Sequence, residues 1–123
     1  MAKSETQFWR YWKKNTPNII WTRIENTTSF GTPDLLGYNK NQFFFTVELK
    51  VTKRYSVKFS PHQIAFHVLH PKNSFILVKS LAASDVKLYE GSKIMELDAC
   101  GLKLAACCLG LEACRLKLSS LGA

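Results

Sequence analysis

The 123-residue chain has no long apolar run. No stretch approaches the ~18 uncharged apolar residues of a membrane-spanning helix, so no membrane association is expected. Residues 1–7, Met-Ala-Lys-Ser-Glu-Thr-Gln, lack the apolar segment of a secretory leader, which predicts an intracellular, cytoplasmic protein. Proline (4) and glycine (6) are too sparse for a linker or low-complexity tract, and no internal repeat is visible. The four cysteines, Cys100, Cys107, Cys108 and Cys114, include no Cys-x-x-Cys pair, which argues against a zinc cluster, and inside a cell they stay reduced. Acidic residues are also scarce: nine Asp and Glu stand against 17 Lys and Arg, a net charge of +8.

What is present describes a folded domain. Hydrophobic residues are 46% of the chain and charged residues 21%, too apolar for disorder, and the length suits one core spanning residues 1–123. The positive charge is uneven. Residues 1–58 carry ten basic against four acidic side chains, and residues 59–123 seven against five. A basic half fits a polyanionic partner such as nucleic acid, or simply a soluble surface; charge alone leaves both open.

Hydrophobic spacing orders the elements. Ser4-x-x-Gln7 reads as a capping box opening a helix with Glu5, Phe8, Trp9 and Trp12 on one face, closed at Thr16-Pro17. Residues 18–25 read as extended, with Trp21, Arg23 and Glu25 on one face and Ile20, Thr22 and Ile24 on the other. A polar loop over 26–33 leads to a short strand over 34–38, a turn at 39–41 and a strong strand over 42–51. Ser60-Pro61-x-Gln63 opens a second helix running to about residue 70, and residues 74–79 form another strand. Helix, three strands, helix, strand is an α/β arrangement with a mixed sheet. In the tail, residues 87–97 read as a hairpin around Gly91-Ser92, with a helix mainly after Gly110. Leu104, Leu111, Leu118 and Leu121 share a helical stripe with Cys107 and Cys114. The sevenfold spacing of Cys100, Cys107 and Cys114 makes them buried small hydrophobes on a helix face.

The segment Phe43-Phe-Phe-Thr-Val-Glu-Leu-Lys-Val51 predicts a central strand buried on both faces. Alternation puts Glu48 and Lys50 on one face, about 7 Å apart. A buried carboxylate needs compensation. Either Glu48 and Lys50 pair at a solvated strand end, or a metal ligand lies beside an ammonium. Asp34, after Gly31-Thr-Pro33, reads alone as turn chemistry. An antiparallel hairpin would nevertheless bring it beside Glu48, and two adjacent carboxylates demand a cation, of which Mg²⁺ or Mn²⁺ suits open oxygen sites.

Gly31-x-Pro33-Asp34, Glu48-x-Lys50 and Ser60-Pro-x-Gln63 together resemble the PD-(D/E)XK nuclease superfamily, in particular its VRR-NUC branch and the related Holliday junction resolvases. The resemblance covers residues 4–80 or so, leaving 81–123 as a C-terminal extension. It implies a restriction-endonuclease-like α/β core with a mixed central sheet flanked by helices. It also implies a metal-dependent endodeoxyribonuclease acting on branched DNA, with Asp34, Glu48 and the Leu49 carbonyl holding Mg²⁺ or Mn²⁺ and Lys50 orienting the attacking water. Glu5 is the acid that the first helix would add near the metal, or else a residue favouring the helix dipole. Gln63 would reach the site or close a capping box with Ser60, and one amide is not expected to do both.

Arg23 would grip a phosphate or pair with Glu25. Lys53, Arg54 and Lys58 read as a phosphate-tracking loop with Tyr55 available for stacking, or as a solvated turn. His62, His67 and His70 lack metal-ligand spacing and read as helix-surface or DNA-facing residues. A DNA-binding module without catalysis, or a nuclease trimming single-stranded ends, are the alternatives. Two symmetric cuts in a four-way junction call for a homodimer, for which the leucine stripe of the tail offers an apolar surface.

Overall fold

The computed structural model describes residues 3–24, 31–82 and 85–123. They form α1 (Lys3–Lys14), β1 (Ile20–Arg23), β2 (Leu35–Tyr38), β3 (Phe44–Thr52), α2 (Pro61–Leu69), β4 (Ser74–Ser80), β5 (Val86–Glu90), α3 (Ile94–Cys100), β6 (Cys108–Leu109) and α4 (Leu111–Ser120). The strands make one sheet in the order β1-β2-β3-β4-β5-β6. Only β3 and β4 run parallel, because α2 lies between them as a crossover; the other neighbours are antiparallel. The mixed α/β architecture expected from the sequence is therefore present. Among the described residues no helix is long and apolar enough to cross a membrane.

Helices cover both faces. On one, Phe8, Trp9 and Trp12 of α1 and Cys114 and Leu118 of α4 pack on Leu35, Phe45, Val47, Leu49, Phe75, Leu77 and Leu88. Trp21 stands at the centre of an aromatic group with Trp9, Trp12 and Phe45, its indole N–H donating to Thr16 Oγ1 at 2.8 Å. On the other face Ile76, Val78 and Tyr89 meet Ile94 and Leu97 of α3, with Ile64 of α2 partly buried against them.

Several expectations change. Helix α1 already includes Lys3, so Ser4 is a first-turn residue, not the cap. Residues 87–97 are not a hairpin: β5 ends at Glu90, a 3₁₀ turn (Gly91–Lys93) follows, and α3 begins at Ile94. Helical spacing wins because it buries Ile94 and Leu97 together. Gly91 backs onto α2, where a Cβ would lie 2.6 Å from His67 Nδ1.

The cysteine spacing is not a helix face. Cys100 ends α3 and is exposed, Cys107 lies exposed in a loop, and only Cys114, in α4, is buried. The leucine stripe is broken too: Leu104 lies outside any helix, Leu118 is in the core, and Leu111 and Leu121 pack against it. It covers this chain's own sheet and supplies no spare face. His67, expected on the helix surface, is fully buried, with its Nδ1 2.5 Å from Ser74 Oγ. Burial lowers its pKa to about 4, helped by the charge of His70.

Candidate active site

Register brings the two carboxylates together. Leu35 pairs with Val47 in the antiparallel β2–β3 ladder, so Asp34, one residue before β2, falls opposite Glu48. Leu35, Phe45, Val47 and Leu49 point into the α1 core. Alternation therefore sends Asp34, Glu48 and Lys50 to the α2 face. The Asp34 loop is held at both ends. Its carbonyl accepts the Ile24 N–H and its Oδ2 the Leu49 N–H, each at 2.8 Å. Gly31 has φ +82°, and a Cβ there would collide with the His62 carbonyl in the first turn of α2. Glycine at this position lets the loop close against α2, with Pro33 buried behind it.

Glu48 is 3% exposed, and its Oε1 has no hydrogen-bond partner. Burial pushes its carboxyl up to about 10, and the adjacent Asp34, by charge and by a shared hydrogen bond, pushes the same way. Lys50 opposes the shift, and the charge of Glu5 on α1 adds to it. Two contacting carboxyls retain a proton between them unless a cation replaces it. Their oxygens, with one lone buried atom, fit a hard divalent ion. The Leu49 N–H points towards Asp34, so the Leu49 carbonyl faces the same edge of β3, past the last β2–β3 pair. Among the described residues no group of three or more His, Cys, Asp or Glu side chains is arranged to hold a metal. Any such ion would rest on two carboxylates plus the peptide carbonyl, with Glu5 outside that set.

Lys50 is held from two sides. Its Nζ donates to Gln63 Oε1 at 3.3 Å and lies 5.1 Å from the Phe59 ring centroid. Gln63 does what one amide was not expected to do. Its Oε1 accepts the Ser60 N–H at 2.9 Å, closing the capping box, while also accepting from Lys50; a carbonyl oxygen has two lone pairs. Phe59 was missed by sequence reading, because its contact with Lys50 joins two positions of no regular spacing.

The basic candidates are dispersed. Arg23 pairs with Leu35 across β1–β2, which puts it at the same end of the sheet but on the α1 face, exposed. Glu25, its alternative partner, and the rest of 25–30 lie outside the described residues. Lys53 and Arg54 are exposed just beyond β3, as is Tyr55; Lys58 Nζ donates to the Asp98 carbonyl at 2.8 Å.

A sheet with parallel β3–β4 at its centre, helices on both faces and carboxylates at the β2/β3 edge is a restriction-endonuclease-like core. Solved structures share it. The chain is similar to the Archaeoglobus fulgidus Holliday junction resolvase Hjc, from an archaeal hyperthermophile, at 14% identity and a TM-score of 0.58, over 73% of this chain and 75% of that one. It is similar to a VRR_NUC domain at 24% identity and a TM-score of 0.52, over 77% of this chain and 97% of that one. These likenesses establish the fold that the chain shares with those two structures. No family model matches the sequence, and no curated protein does.

Proposed function

We propose that this chain is a Mg²⁺- or Mn²⁺-dependent endodeoxyribonuclease, its nuclease core within residues 4–80 and the remainder completing the sheet. The observation that carries the reading is the Asp34–Glu48 pair, with a buried, unpartnered carboxylate oxygen, beside a Lys50 held by Gln63. A binding-only surface gains nothing from buried acids next to phosphate. In this reading Asp34, Glu48 and the Leu49 carbonyl hold the ion. When bound, such an ion would supply charge to neutralise the phosphate and to lower the pKa of a water. Lys50 orients that water and balances charge near the leaving oxygen, and Gln63 keeps the ammonium aimed. Glu5 adds negative potential from α1, strengthening attraction for the cation. Lys53 and Arg54, exposed just beyond β3, contact phosphates in this reading, so affinity falls with salt.

The finer form of the proposal is a homodimer cutting branched DNA, since the resolvase that shares the fold acts on Holliday junctions. Of the tail stripe, Leu118 is in the core and Leu111 and Leu121 are partly buried against it. The test is a cleavage panel with Mg²⁺ and Mn²⁺ on duplex, single-stranded, flapped and four-way DNA, with light scattering alongside. Four-way substrate cut fastest by a dimer is the expected result. Binding with no cleavage on any substrate overturns the nuclease reading. Monomeric cleavage of ends or flaps overturns only its finer form.

A further inference from the structure

The face that carries the carboxylates continues past them towards the other end of β2, where Ile20 and Phe44 are exposed. Ile20, Tyr38 and Phe44 form one row across β1, β2 and β3, paired Ile20 with Tyr38 and Tyr38 with Phe44. They lie on the side opposite the tryptophan core, and Ile20 is 66% and Phe44 58% exposed. Tyr38 and Phe44 form a ring pair with centroids 4.4 Å apart. Beside them Phe66 and His70, at the end of α2, stack at 4.1 Å and 17°. Between the two pairs runs a shallow cleft of about 200 Å³ whose lining includes Leu36, Thr46 and Lys72 and no carboxylate.

We infer that this aromatic face is a stacking platform for unpaired nucleobases of the same DNA strand that enters the candidate active site. Exposed flat rings stack on any base that offers a free face, which bases inside a duplex do not. Tyr38 lies four residue steps along β2 from Asp34, about 13 Å at ~3.3 Å per step, a distance a single strand spans within a few nucleotides. Lys72 in the lining complements the phosphates between those bases. The substrate class that follows is DNA with a single-stranded segment next to the cut. The inference rests on the nuclease reading for where the cut lies, and on the rings for the binding itself.

The test measures binding of an unstructured oligothymidylate and of a hairpin duplex to the full chain in EDTA, by fluorescence anisotropy. Phe44→Leu keeps an apolar surface without a ring, and Phe44→Trp keeps a ring. Oligothymidylate affinity is expected to fall about tenfold in Phe44→Leu, and to be retained in Phe44→Trp. Hairpin affinity stays unchanged in both. Tyr38→Leu gives an independent reading of the same row. Equal oligothymidylate affinity for wild type and both leucine variants overturns the platform. So does a wild-type dimer that Phe44→Leu dissociates with DNA affinity intact, since the face would then be a contact between copies. Cleavage of a flapped substrate with Mg²⁺ is scored in parallel. Ring-dependent binding without any cleavage removes the nuclease reading and leaves the platform, whereas cleavage with ring-independent binding removes the platform alone.

Discussion

On the α1 side of the sheet, Phe45, Val47 and Leu49 of β3 sink into a tryptophan-rich core, whereas on the α2 side Glu48 and Lys50 of the same strand meet Asp34 and Gln63. The two sides differ in how polar atoms are served. Trp12 Nε1 is unpartnered on the α1 side; on the α2 side Thr46 Oγ1, Glu48 Oε1 and His67 Nε2 are all buried without a hydrogen bond among the described residues. Unmet polar atoms cost stability, and among the described residues more of them lie on the α2 side.

Substitutions on the two faces should separate these roles. The largest effect is on the α2 side: Asp34→Asn, Glu48→Gln and Lys50→Ala each abolish cleavage while circular dichroism stays native. Cleavage at wild-type rate by all three would erase the functional contrast. On the α1 side, Phe45→Ala opens a cavity in a fully buried site and costs about 3–5 kcal/mol by urea unfolding, with the rate per folded molecule unchanged.

Next is the pH dependence of the metal-free protein. The folded Glu48 carboxyl keeps its proton up to about 10, whereas the unfolded one loses it near 4.5. The native state therefore binds the extra proton between those values, and stability falls as pH rises through that window. Below it both states are protonated and the penalty vanishes. Glu48→Gln has no proton to lose, so its Tm should decline less between pH 5 and 9. Added Mn²⁺ should raise the wild-type Tm at pH 8 and leave Glu48→Gln unmoved.

A smaller effect tests the shared amide. Gln63→Ala removes the reciprocal capping bond and the Lys50 contact together, costing about 1 kcal/mol of stability and lowering the cleavage rate. Gln63→Glu keeps both acceptors, so it should recover the cap. The smallest effect concerns His67. Its folded pKa is depressed to about 4 from 6.5, so stability is lost as pH falls through that interval, and His67→Gln should flatten the acid side of the Tm profile.

Much of this architecture was legible because it depends on short-range pattern. The mostly apolar segment 43–51 announced a central strand, and period-two alternation put Glu48 and Lys50 on one face of it. Ser60-Pro61-x-Gln63 announced the start of α2, since a cap and a first-turn proline act within four residues. The tail was misread where local pattern allowed two answers. Gly91-Ser92 suits a hairpin, and only the need to bury Ile94 and Leu97 against β4 and β5 decides for a helix.

Short-range pattern was enough for the order of strands and helices from α1 to β4 and for the side of β3 that carries acid. Only the tertiary structure decided the register that sets Asp34 opposite Glu48, and the docking of α2 that gives Gln63 both the Ser60 N–H and the Lys50 ammonium. It also decided that His67 lies inside, and that the leucines of the tail cover their own sheet. These are contacts between segments far apart in the chain, and periodicity shows which face a residue takes but not what it will meet there.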